Sequence, residues 1–284
     1  MPTIVRYSAF TRDPAGGNPA GVVLDAAGLD EPAMRAIAAD LGYSETAFVT
    51  ARDGDTLAVR YFSPESEVPF CGHATIATAV AFADVHGPGR LRLDTAAGRI
   101  DVTVAAGEDG VPIATLTSVP TRVWDVPDAD LDEALAALGW TADDLDDRLP
   151  PRFANAGAGH LILGVGRRER LTALAYDFDR LRALLEAREC VTLTLVHRRA
   201  ADPAGLTFDA RNPFPTGGVV EDPATGAAAA AFGAYLRSLA LVDLPARVTV
   251  HQGDDMGRPS VLTVDIPVGP NAGVGVSGAA VPIP

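Results

Sequence analysis

Ala74-Thr75-Ile76-Ala77-Thr78-Ala79-Val80-Ala81-Phe82 lies inside an alanine-rich run from Cys71 to Val85, and Ala224-Thr225-Gly226-Ala227-Ala228-Ala229-Ala230-Ala231-Phe232 leads into a second run, Thr225 to Leu239. Both runs are apolar on nearly every helical face, and a helix of that kind is buried on nearly all sides. Small alanine side chains let surrounding strands approach it closely. Shifting one run against the other by 150 positions matches six of nine residues, which suggests a duplication even though alanine bias inflates the score. The two runs predict a strongly twisted, mostly antiparallel sheet rolled around one central helix, formed twice.

Around these helices the chain reads as short β-rich runs punctuated by Gly and Pro. Strands are expected over 3–8, 20–25, 45–50, 56–62, 91–94, 99–104 and 112–117 in the first half, and near 160–165, 191–197, 205–210, 246–251 and 261–266 in the second. A helix starts at Asp30-Glu31-Pro32, with an acid in its first turn, and Gly42 ends it. Further helices are expected at 128–139, 141–147 and 177–188. The segment Ser118 to Pro127, with Pro120 and Pro127, reads as a linker. Helices and strands segregate, so the fold class is α+β rather than a doubly wound parallel sheet. The domains are expected at 1–118, with a C-terminal strand from about 270–284 added, and at 119–269.

Length and charge narrow the function. The chain has 284 residues, enough for one large domain or two of medium size, and a formal net charge of −14. That acidity argues against a nucleic-acid partner, which is held by clustered basic residues. The basic residues are all Arg, so lysine Schiff bases, pyridoxal phosphate aldimines and the P-loop lysine are excluded. Cys71 and Cys190 form no Cys-x-x-Cys, and the five histidines lack the spacing of a metal site, so neither a disulfide framework nor a metal is expected. The longest apolar run, Ala227 to Leu236, is about half the roughly 20 residues of a membrane span. With no signal-peptide pattern at the N-terminus, a cytoplasmic protein acting on a small molecule is expected.

The chemistry is expected where the buried helices begin, because a helix N-terminus offers free N–H groups and a positive dipole end to an anion. Gly72 and Gly226 lack the Cβ that would keep a carboxylate from the backbone, although tight helix entry alone also explains them. Asp222-Pro223 reads as an N-cap followed by Pro at N1. His73, in a helical first turn, is held neutral by dipole and burial and can exchange a proton, or else simply packs. Glu45 alternates with Ala47 and Val49 along a strand. On an apolar face its carboxylate is desolvated, as suits a general base; on a sheet edge it is merely exposed. Cys71 is an apolar filler unless an acid or a thiol faces it.

Four motifs in order, Asn18-Pro19-Ala20-Gly21-Val22-Val23, Ser44-Glu45-Thr46-Ala47-Phe48, Phe70-Cys71-Gly72-His73-Ala74-Thr75 and Glu221-Asp222-Pro223-Ala224-Thr225-Gly226, resemble the PhzF-like phenazine-biosynthesis family, from Tyr7 to about Val276. The resemblance implies the diaminopimelate-epimerase-like fold, with two similar domains, a cleft site between them and a homodimer. It also implies an isomerase that shifts a double bond in a small carboxylic acid by proton transfer, without metal or organic cofactor. Glu45 is then the base, His73 and Asp222 the assisting acid and hydrogen-bonding groups, and Asn18, Gly72, Gly226 and Ala227 the substrate contacts. Ala227 stands where the family pattern has serine. Two alternatives remain open: an amino-acid racemase with two thiols, for which Thr225 is a poor second acid, and a non-catalytic binding protein.

Overall fold

The structure, a computed structural model, describes residues 2–284. The chain divides into a first unit that runs to Thr117 and resumes at Ser277–Pro284, and a second unit, Ser118–Val276. In the first unit the order is β1 (Val5–Ala9), β2 (Asn18–Val23), α1 (Glu31–Leu41), β3 (Glu45–Asp53), β4 (Thr56–Phe62), β5 (Glu67–Val68), α2 (Gly72–His86), β6 (Gly89–Thr95), β7 (Gly98–Ala106) and β8 (Pro112–Thr117). The second contains β9 (Arg122–Asp125), α3 (Asp128–Leu138), β10 (Arg152–Asn155), β11 (Gly159–Gly164), α4 (Arg168–Thr172), α5 (Phe178–Ala187), β12 (Cys190–Arg198), β13 (Thr207–Pro213), β14 (Glu221–Asp222), α6 (Gly226–Ser238), β15 (Ala246–Gln252) and β16 (Ser260–Ile266).

In the first unit the pairing runs β1–β2–β3–β4–β6–β7–β8, and the last strand of the chain, Gly275–Pro282, joins β8 back to β1. The sheet therefore closes on itself, which removes free edges. Through it passes α2, packed on β1, β2, β3, β7 and β8 and buried without a break from His73 to Ala83. Its polar side chains turn inward on the helix: Thr75 and Thr78 donate to the Cys71 and Ala74 carbonyls at 2.7 Å, satisfying hydroxyls that have no access to water.

Outside the sheet, α1 covers Val23, Phe48 and Phe62 with Met34 and Ala38. Its ends are those expected: Asp30 Oδ1 accepts from the Ala33 N–H at 2.9 Å, and Gly42 takes the left-handed conformation, φ 67°, that closes a helix.

The second unit repeats this order. Its sheet runs β9–β10–β11–β12–β13–β15–β16 around α6, which packs on β9, β10, β11 and β16. The parallel joints fall in matching places, β2–β3 and β4–β6 in one unit, β11–β12 and β13–β15 in the other. The two-residue β5 and β14 each precede the central helix. Close packing of strands on α6 depends on Gly233, where a Cβ would come within 2.8 Å of Val264 and Val274 methyls. On the outer face α3 and α5 bury Leu135, Leu138, Leu181 and Leu185 against Phe153, Leu161, Leu193 and Leu195.

Four expectations need correction. First, Gly72 and Gly226 are the first residues of α2 and α6, so the units align with a shift of 154 (226 − 72), not 150, and four of the six matches at 150 set alanine against alanine. Second, the helix predicted at 141–147 is a single 3-10 turn, Ala142–Asp144. Leu145 turns extended there to bridge Val165 and pack into the outer core. Third, the segment 118–127 holds β9, paired with β10, so its prolines flank a strand. Fourth, Asp222 is not the N-cap of α6. It lies in β14, three residues before Thr225, which occupies that position.

Candidate active site

The start of α2 gathers three groups able to exchange protons. Glu45 is the first residue of β3, a strand flanked on both sides by β2 and β4, so its exposure as an edge residue is excluded. Its side chain is 16% exposed, and Oε2 lies 3.4 Å from His73 Nε2. Cys71 and His73 flank Gly72 in the first turn, both buried. The Cys71 thiol is 3.4 Å from Glu45 Oε2 and 3.3 Å from His73 Nδ1, so the acid that would make Cys71 more than a filler does face it. Asn18, at the start of β2, donates from Nδ2 to His73 Nδ1 at 3.1 Å. With Nδ1 accepting, the ring hydrogen sits on Nε2, the nitrogen nearer to Glu45 and Ser44. Ser44 Oγ, 3.4 Å from Nε2, completes the shell.

The sequence motif that carries Glu45 fixes its position through β-pairing, Ala20 opposite Glu45. The parallel joint of β2 to β3 thus brings residues 18, 45 and 73 together from three separate motifs.

The start of α6 is built differently. The Thr225 hydroxyl donates to Asp222 Oδ2 at 2.5 Å. Gln252, at the end of β15, donates to the Asp222 carbonyl at 2.7 Å and to Thr225 Oγ1 at 3.0 Å, and its Oε1 accepts from the Thr225 N–H at 3.2 Å. Asp222 and Gln252 are buried, while Ala227 is partly open. Beside Asp222 in β14, Glu221 forms a forked ion pair with Arg211, whose Nη1 also donates to the Leu171 and Thr172 carbonyls. Sequence reasoning missed Gln252 and Arg211, since nothing local marks either one; only the return of β15 beside β13 places Gln252 at the helix start.

A two-thiol arrangement has no second thiol. Thr225 is the counterpart of Cys71, and Cys190, at the start of β12, has its thiol pushed up to about 11 by burial.

The model of the phenazine biosynthesis-like protein family, PhzC-PhzF, matches residues 7–283. The chain belongs to the PhzF family. It is 33% identical to the uncharacterized isomerase YddE of Escherichia coli K12 over 99% of this chain and 96% of that one. To the trans-2,3-dihydro-3-hydroxyanthranilate isomerase of Pseudomonas fluorescens it is 32% identical, over 92% and 89%. The crystal structure of the PhzF-family protein of Bacillus anthracis superposes with a TM-score of 0.88 at 26% identity, covering 99% of this chain and 98% of that one. A probable proline racemase of Agrobacterium radiobacter shares the fold alone, at TM-score 0.64 and 12% identity over 98% and 90%. This PhzF-family chain is an isomerase with the α+β, epimerase-like fold. Among the described residues no helix is long and apolar enough to cross a membrane.

Proposed function

We propose that the chain isomerises a small unsaturated carboxylic acid by moving one proton, and with it a double bond, with Glu45 as general base. Glu45 Oε2 takes a proton from a carbon next to the double bond, the electron pair of that C–H bond shifts the double bond by one position, and a proton returns to the far carbon. No atom is gained or lost overall. The observation that carries this reading is the half-buried Glu45 carboxylate, whose Oε2 lies 3.4 Å from Nε2 of a buried His73. A carboxylate placed this way can take a proton from a bound substrate, with an imidazole beside it to exchange one. The N–H groups at the start of α2, at Gly72, suit a carboxylate, as helix N-termini do. The activity of the Pseudomonas relative makes a dihydro-hydroxyanthranilate the first substrate to try.

The test is proton exchange with solvent. The protein is incubated in deuterated water with a panel of unsaturated carboxylic acids that includes trans-2,3-dihydro-3-hydroxyanthranilate, and label and double-bond position are read by mass and absorbance. Label on at least one acid is expected, and Glu45→Gln should lower its rate about 100-fold or more with the fold retained. A variant that keeps more than about a tenth of the rate removes Glu45 from the base role. Absence of label across the panel favours a binding protein.

A further inference from the structure

A chain of hydrogen bonds links the strand pair that carries Glu45 to the helix start that carries His73. Tyr61 on β4 lies opposite Ala47 on β3, two residues beyond Glu45 and on the same face of that strand. Its hydroxyl is 2.7 Å from Thr75 Oγ1, which in turn is 2.7 Å from the Cys71 carbonyl. A carbonyl only accepts, so the single hydroxyl hydrogen of Thr75 goes to Cys71, and Tyr61 must donate to Thr75. Burial pushes the Tyr61 hydroxyl above its ordinary range, which keeps that hydrogen in place. The Cys71 carbonyl also accepts the Thr75 N–H at 3.0 Å, so both of its lone pairs are engaged. Tyr61 and Thr75 are fully buried, and the Phe70 and Tyr61 rings meet edge to face. The peptide between Cys71 and Gly72 is planar, so fixing its carbonyl fixes the directions in which Cys71 and the first helical turn leave it.

We infer that Tyr61 and Thr75 are positioning residues, which hold the Cys71–Gly72 peptide in one orientation and thereby set the His73 ring against Glu45. The second unit is built otherwise at both links. With a shift of 154, Thr75 becomes Ala229, whose N–H alone reaches the Thr225 carbonyl, at 3.0 Å. Asn212, which pairs with β14 as Tyr61 pairs with β5, accepts from Thr192 and Thr194 through its Oδ1. The chain thus accompanies the helix start that carries the proton-exchanging groups. Its effect on turnover rests on the reading of Glu45 and His73 as the reacting pair, whereas the positioning of His73 does not.

Thr78 supplies the control, since it is buried on the same helix and donates to the Ala74 carbonyl at the same 2.7 Å. Thr75→Val and Thr78→Val each exchange a buried hydroxyl for a methyl, and both should lower stability in denaturant unfolding. The ring resonances of His73, read by ¹⁵N nuclear magnetic resonance without any substrate, should move in Thr75→Val and Tyr61→Phe and stay near their wild-type places in Thr78→Val. Thr75→Ser keeps the hydroxyl and should restore them. In turnover assays Thr75→Val and Tyr61→Phe should lower kcat at least about tenfold with KM nearly unchanged, because misplacement of a reacting group by 1 Å costs about 100-fold. Thr78→Val and Thr75→Ser should stay near the wild-type rate. His73 resonances that hold still in Thr75→Val and Tyr61→Phe, or that Thr75→Ser fails to restore, overturn the inference. Displaced resonances with an unchanged kcat uphold the positioning and remove Glu45 and His73 as the reacting pair.

Discussion

The two central helices begin in the same frame and hold different chemistry. Before α2, Arg60 on β4 grips Glu67 on β5 with a forked pair at 2.7 and 2.6 Å; before α6, Arg211 on β13 grips Glu221 on β14 in the same way. Three residues then lead to an N1 glycine in each unit. Within that frame Cys71 is replaced by Thr225 and His73 by Ala227. One helix start thus carries a carboxylate, a thiol and an imidazole in mutual contact, while the other carries Asp222 locked into a network with Thr225 and Gln252. The two starts share a frame and differ in the side chains set on it. The frames also differ in burial. Side chains of Arg60 and Glu67 are 33% and 31% exposed, against 11% and 4% for Arg211 and Glu221.

Burial makes the second clamp the more costly to break. Arg211→Ala leaves Glu221 buried without its partner, so we expect a loss of about 3–5 kcal/mol, read by denaturant unfolding. Replacing both, as Arg211→Met with Glu221→Leu, should recover most of it, because the penalty belongs to the orphaned charge. A loss under about 1 kcal/mol for Arg211→Ala would erase the difference between the two frames.

The buried histidines sharpen the same contrast. His73 meets an acid, whereas His160 on β11 is fully buried with Thr192 Oγ1 at 2.8 Å from Nδ1, and its Nε2 has no hydrogen-bond partner. Burial lowers its pKa to about 3. The unfolded chain binds a proton near 6.5 and the folded chain does not, so stability rises with pH between about 3 and 6.5. The contribution is complete above the unfolded value and is lost as the pH falls. At pH 5 the loss from this group is about 2 kcal/mol. His160→Gln, though less stable at pH 7, should flatten that part of the pH–stability curve; an unchanged slope would assign the acid sensitivity elsewhere.

Much of this frame was legible in the sequence, for identifiable reasons. The alanine runs announced buried helices, since no amphipathic surface helix has that composition. Asp30 and Gly42 marked α1, because capping is a local interaction. What stayed hidden depends on contacts distant in sequence. The 150-residue register failed because alanine matches alanine at many shifts, whereas setting Cys71-Gly72 against Thr225-Gly226, the comparison that makes Thr225 the second-acid position, gives the 154 that the helix starts hold in space. The Asp222-Pro223 pair imitates a helix start, but Asp222 is drawn into β14 by pairing with Asn212. At the candidate site Glu45, His73 and Asn18 were individually visible, while Gln252 was not, since its role comes from where β15 ends.

Asp222 tests whether the second helix start contributes to turnover at all. Its carboxylate accepts the Thr225 hydroxyl, and the Oδ1 of asparagine accepts the same bond, so Asp222→Asn should leave the melting temperature nearly unchanged. The substitution does remove a negative charge. If Asp222 assists proton transfer, turnover should drop at least about tenfold, roughly 1.4 kcal/mol of transition-state stabilisation. Near wild-type turnover would confine Asp222 to architecture and leave proton transfer to the Glu45 cluster.

The smallest effect is expected at the exposed clamp. Glu67→Gln keeps an acceptor facing Arg60 and removes only the charge. Exposed pairs contribute about 0.2–1 kcal/mol, because water and salt screen them and two side chains must be ordered. Arg60 also retains its contact with Glu31, at 3.1 Å, and its stacking over the Phe62 ring. The loss at pH 7 should therefore stay below about 1 kcal/mol and shrink in high salt. Its pH dependence is fixed in sign. The hydrogen bond from Arg60 holds the Glu67 carboxyl below its ordinary range, so its stabilising contribution is full above the unfolded pKa, near 4.5, and is lost as the pH falls through the lower folded value. Wild type and Glu67→Gln should converge in acid. A salt-insensitive loss of 3 kcal/mol would mean that Glu67 is as deeply committed as Glu221, and that the two frames differ in their catalytic groups alone.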